Sequence, residues 1–139
     1  MEPDQPVQPP LILVVDDDEL SRSLLEAVLT RRGYRVRLEG DEAGAVAAFR
    51  QEQPALVVCD VRLRGTDGFT VTQMLHAEPT AAGLPVILLT GYEGTGDNER
   101  ARDAGAAALL IRSRNFDGLM MHIDHILKGQ TRADSPRAG

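Results

Sequence analysis

A chain of 139 residues, 42% hydrophobic and 26% charged, is long enough to bury one core without staples and makes a single domain. Three Phe, two Tyr and no Trp leave few rings for base stacking, and a net charge of -6 repels a phosphate backbone, so direct nucleic-acid binding is excluded as a main function. No apolar run reaches the roughly 20 residues of a membrane span, and the single cysteine, Cys59, has no partner for an internal disulfide, so a cytoplasmic protein is expected.

The chain opens on MEPDQPVQPP, acidic and with four prolines in ten residues; it lacks an apolar signal core and predicts a disordered arm over residues 1–10. LILVV then predicts a first strand at Leu11–Val15, apolar throughout as a strand covered on both faces is. Four acids follow it: Asp16, Asp17, Asp18 and Glu19. Adjacent carboxylates repel, so they either form a solvated turn or hold a cation. Asp18 suits a helix cap and Glu19 the first turn of the helix behind it. That helix carries Leu20, Leu24, Ala27, Val28 and Arg31 on one stripe and stops at Gly33.

The second strand, Tyr34–Leu38, alternates, with Arg35 and Arg37 facing out, which marks an edge strand guarded by charge. Pro54 precedes a third, apolar strand at Ala55–Cys59, which ends on Asp60. Gly83 and Pro85 bracket the entry to a fourth at Pro85–Leu89, which ends on Thr90. The next helix, DNERARDAG, has almost no apolar stripe and starts among Gly91, Gly94 and Gly96, so it should open at low cost. Gly105 closes it, and the fifth strand, Ala107–Ile111, ends on Arg112. The last helix places Phe116, Leu119, Met120, Ile123 and Leu127 on a core stripe, with Met121 as an adaptable partner contact. His122 and His125, three apart, read as surface histidines, and His76 has no partner in sequence. GQTRADSPRAG predicts a loose tail over residues 129–139, leaving 11–128 as the domain.

Five strand-helix units in series predict an α/β domain, a doubly wound five-stranded parallel sheet. With the second strand at an edge, the order 2-1-3-4-5 fits better than the Rossmann order. In such sheets ligands bind beyond the carboxyl ends of the strands. Asp16, Asp17, Asp60, Thr90 and Arg112 all stand at that edge. Singly each is an ordinary turn residue; their coincidence at the ends of four strands carries the functional reading. Clustered carboxylates, a hydroxyl and a guanidinium describe a divalent metal and a phosphoryl group, and magnesium needs only one or two direct carboxylates. An ionised Asp60 could then attack phosphorus in line.

These residues, within VVDDDELSRSLLEAVLTRRGY, LVVCDVRLRGTDGF, LPVILLTGYE and DAGAAALLIRS, resemble a response-regulator receiver domain of two-component signalling, over about residues 11 to 128. The resemblance implies a flavodoxin-like receiver fold and a phosphoacceptor at Asp60, supplied by a histidine kinase or phosphotransfer protein. It implies Mg2+ held by Asp16, Asp17, Asp60 and the backbone carbonyl of Arg62, with Thr90 binding the phosphoryl group and shifting inward as a switch. Asp67-Gly68 would open the third helix. Output would be a protein contact with a downstream target, through the fourth helix, fifth strand and fifth helix, with a homodimer left open. The chain would be a stand-alone receiver or part of a longer protein, and not an enzyme in its own right.

Three departures stand out. Arg112 replaces the family's lysine and Ser113 the proline after it; Leu109 stands where an aromatic switch residue is expected; Arg64 replaces a proline four residues after Asp60. Arginine keeps the charge in a planar, bulkier group. The departures bear on the coupling of Thr90 to an aromatic rotamer more than on phosphorylation. Arg62 and Tyr92 flank the expected phosphoryl position and would hinder attacking water. Two rival functions share the residues: a degenerate receiver that docks without phosphate chemistry, and a haloacid-dehalogenase-type phosphatase using Asp16, Asp18 and Thr90. The second leaves Asp60 without a role.

Overall fold

Apolar runs become strands here because both of their faces are covered. β1 (Leu11–Val15), β3 (Leu56–Asp60) and β6 (Val86–Thr90) are buried along nearly their whole length. In this computed structural model, which describes residues 8–91, 97–112 and 116–134, they form the middle of a five-stranded parallel sheet. β2 (Arg35–Glu39) and β7 (Ala108–Ile111) are its edges, in the order β2-β1-β3-β6-β7. Leaving out a short antiparallel hairpin, β4 (Arg62–Leu63) with β5 (Thr66–Asp67), this is the expected 2-1-3-4-5. Val61 and Leu63 alternate with Arg62 and Arg64 on the way into the hairpin, but its two-residue strands are too short for that alternation to announce them.

The period of two along each strand divides the core into two layers. Leu13, Val15, Val57, Cys59, Val86 and Leu88 face α2 (Glu42–Gln51), α3 (Gly68–His76) and α4 (Asp97–Ala104). Ile12, Val14, Leu56, Val58, Ile87 and Leu89 face α1 (Glu19–Arg31) and α5 (Asp117–Asp134). Cys59 is fully buried, and burial pushes its thiol well above the ordinary range. The charged edge is real: Arg35 pairs with Glu52 at 2.8 Å and Arg37 with Glu39 at 2.9 Å.

Local expectations hold unevenly. Asp18 caps α1, its carboxylate accepting the Ser21 N–H at 2.8 Å, and Gly33 leaves the helix at φ 93°. The stripe assigned to α1 is rotated, however. Leu25 and Leu29 are its buried anchors, whereas Leu20 and Leu24 are 67% and 49% exposed. The helix has apolar residues on both arcs, and only the direction of approach to the sheet selects one. The α5 stripe is as expected, with Met121 70% exposed and His122 and His125 at the surface. His76 finds a partner that sequence could not show, the Leu84 carbonyl at 2.9 Å. α5 continues to Asp134, beyond Lys128, and the Pro9 and Pro10 carbonyls accept from Arg35, so the arm's last residues are tied to β2. Gly94, Gly96, Tyr92 and Ser113 lie outside the described residues.

α4 buries only Ala101 and Ala104. Among the described residues it is also tied to α3 by Arg100, 4.3 Å from the centre of the Phe69 ring and 3.8 Å from the Asp67 carboxylate.

Candidate functional site

Asp16 follows β1 with its backbone still held by the sheet: its N–H donates to the Glu39 carbonyl at 3.0 Å, and its carbonyl accepts from Arg22 Nη1 at 2.6 Å. Its carboxylate is almost wholly buried and well supplied with donors. Oδ1 accepts the Asp18 N–H at 2.9 Å; Oδ2 accepts the Ser21 hydroxyl at 2.5 Å and Arg112 Nη2 at 3.1 Å. A buried charge demands such pairing.

Asp17 is half-buried and accepts the Arg64 backbone N–H at 2.9 Å, with the Arg64 guanidinium 3.9 Å away. Arg64 occupies the turn of the β4–β5 hairpin. A proline there has no N–H to give, so this departure from the family pattern ties the hairpin to the first acid pair.

Asp60 ends β3, and its carboxylate lies 3.3 Å from Arg112 Nη2. Its carboxyl is pushed up to about 6, by burial foremost and then by the charge of Asp16, with Arg112 pulling the other way. Behind it, α3 starts so close that a Cβ on Gly68 would stand 2.5 Å from the Asp60 carbonyl oxygen. Only glycine allows that approach. Asp67 caps α3 by accepting the Thr70 N–H at 2.8 Å.

Asp16, Asp17 and Asp60 each offer an oxygen within 4.8 Å of the others. This all-oxygen, multiply anionic set fits a hard divalent cation such as magnesium. Thr90 ends β6, nearly buried, and its carbonyl accepts the Arg112 N–H at 2.8 Å, so the last residues of β6 and β7 are in register beside the acids. Leu109 lies opposite Leu88 and packs, partly buried, on the α2–α4 side of the sheet. Arg62 opens β4 with its side chain exposed. Asp18 is spent on capping α1 and stands outside the carboxylate cluster, which removes the second acid that a phosphatase reading requires.

Two participants escaped the sequence reading. Ser21, in the first turn of α1, touches both Asp16 and Arg112; the Arg64 N–H reaches Asp17. A hydroxyl one helical turn beyond Asp17 was a usable signal, but a backbone donor has none.

Residues 12–124 match the family model for the response regulator receiver domain. The response regulator PleD of Caulobacter vibrioides is 40% identical over 101 residues, which is 73% of this chain and 22% of PleD, so the chain spans about a fifth of that relative's length. A receiver domain protein (CheY-like) from Methanospirillum hungatei superimposes with a TM-score of 0.82 at 25% identity, covering 90% of this chain and 98% of that one. Response regulator TrrA of Thermotoga maritima, solved in complex with Mg(2+)-BeF, gives 0.75 at 27% identity, covering 84% and 98%. Sheet order, acid cluster and family match agree, and the chain belongs to the response regulator receiver domain family, the signal-transduction receivers of two-component systems.

Proposed function

We propose that this domain accepts a phosphoryl group on Asp60 from a histidine kinase or phosphotransfer protein, in the presence of Mg2+, and signals through a phosphorylation-dependent protein contact. The observation that carries the reading is the carboxylate cluster itself: Asp16, Asp17 and Asp60 each offer an oxygen within 4.8 Å of the others, with the Arg112 guanidinium beside Asp60. With a carboxyl at about 6, Asp60 is largely ionised at neutral pH and available as a nucleophile. One carboxylate oxygen attacks phosphorus while the bond from phosphorus to the donor breaks, and the bonding pair leaves with the donor, which takes up a proton. Asp16, Asp17, Asp60 and the Arg62 carbonyl would hold the magnesium, which supplies charge neutralisation for the phosphoryl oxygens. Thr90 and Arg112 donate to the remaining oxygens. TrrA, a relative of this fold, was crystallised in complex with Mg(2+)-BeF, and this supports a magnesium-dependent site here.

Incubation with acetyl phosphate and magnesium should add about 80 Da, the mass of a phosphoryl group, to the wild type and nothing to Asp60→Ala. A folded wild type that gains no mass refutes the proposal. The guanidinium bridging Asp16 and Asp60 favours a second reading, in which Arg112 takes the cation's place and the domain docks without phosphate chemistry. Amide shifts on magnesium titration separate the two: the first expects changes around Asp17 and Asp60, the second none.

A further inference from the structure

Arg112 is held by three groups, and one of them has no assigned part in receiver chemistry. Nη1 donates to the Ser21 hydroxyl at 2.5 Å, while Nη2 lies 3.1 Å from Asp16 Oδ2 and 3.3 Å from Asp60 Oδ1. The Ser21 hydroxyl carries a single proton, and it goes to Asp16 Oδ2 at 2.5 Å. Its lone pairs are therefore left for Nη1. Ser21, Asp16 and the two terminal nitrogens form a closed ring of hydrogen bonds beside Asp60.

A lysine at this position would present one nitrogen and need no such support. An arginine presents two, on a plane that turns about its stem unless both ends are fixed. The carboxylates hold one end; within the described residues Ser21 holds the other. The backbone of Arg112 is anchored as well, its N–H donating to the Thr90 carbonyl at 2.8 Å, so the stem of the side chain starts from a point fixed relative to β6.

We infer that Ser21 is a positioning residue for the phosphoryl site: it fixes the Arg112 fork so that Nη2 faces the group arriving on Asp60. The inference rests on the phosphoacceptor reading and adds to it the residue that lets arginine serve in a site where the family has lysine. Among the described residues the Ser21 hydroxyl hydrogen-bonds Asp16 and Arg112 and not Asp60, so it acts through Arg112.

The test uses the whole chain, as wild type, Ser21→Ala and Ser21→Thr, with two readouts. The first is the side-chain 1H–15N spectrum of Arg112. A fork held at both ends gives separate Nη resonances; Ser21→Ala should merge them and Ser21→Thr should keep them apart. The second is the beryllofluoride concentration that half-saturates the magnesium-loaded protein, followed by the Thr90 amide. It should rise roughly three- to tenfold in Ser21→Ala, the worth of one hydrogen bond, and return in Ser21→Thr. A merely structural serine would lower the melting temperature without moving the half-saturation point. The inference is overturned if Ser21→Ala leaves either readout unchanged, or if threonine rescues neither. A wild type that takes up no beryllofluoride at all overturns the phosphoacceptor reading, and the role of Ser21 in it, whatever the Arg112 spectrum shows.

Discussion

Asp60 is under opposed pulls from its neighbours, and stability should report them. Its folded-state carboxyl titrates near 6, against about 3.9 in an unfolded chain. Between those values the folded protein binds more protons than the unfolded one, so this group's contribution falls as pH rises from about 4 to about 6 and stays low above. Asp60→Asn carries no charge at any pH. In metal-free buffer it should melt higher than wild type at pH 7 and at the same temperature near pH 4; paired thermal scans with a chelator measure the difference. A gap that does not widen with pH would mean that Arg112 already offsets the burial. At this scale the site was half legible. The acids, Thr90 and Arg112 could be named because each stands at the carboxyl end of a strand, whereas Ser21 and the Arg64 N–H act across 91 and 47 positions of chain.

Among the elements, α1 and α4 separate what periodicity tells from what packing decides. α1 buries Leu25 and leaves Leu24 half exposed. Leu25→Ala should cost about 2–5 kcal/mol in denaturant unfolding, the range for emptying a core site. Leu24→Gln should stay within about 0.5 kcal/mol. The reverse order would restore the stripe expected from sequence. α4, by contrast, was legible as weakly packed because its composition leaves nothing large to bury. With two buried alanines and the contacts of Arg100 with Phe69 and Asp67 as its described side-chain ties, it should exchange amide hydrogens faster than α1 or the first turns of α5. Removing the exposed cation in Arg100→Ala costs on the order of 0.5–1 kcal/mol. Residues 97–104 should then exchange several-fold faster by mass spectrometry, with α1 unchanged.

At the scale of the whole molecule, the two core layers grip one sheet whose carboxyl edge carries like charges. Part of the folding free energy is spent on holding Asp16, Asp17 and Asp60 together. A cation that binds the folded cluster and not the unfolded chain returns stability by mass action, about 2.7 kcal/mol at a hundredfold excess over its dissociation constant. Magnesium should accordingly raise the melting temperature of the wild type and do much less for Asp17→Asn. Equal shifts in both proteins would place the ion elsewhere.

The amino-acid sequence by itself determined the strand-helix alternation, the central and edge strands and the residue on which each strand ends. Those properties are local: runs of apolar residues, turn residues and the acid or hydroxyl that follows them. Only the tertiary structure decided which arc of α1 meets the sheet, that a hairpin brings the Arg64 N–H to Asp17, and that Ser21 closes the ring around Arg112. Such contacts depend on the register and approach of elements remote in the chain, which no local pattern encodes.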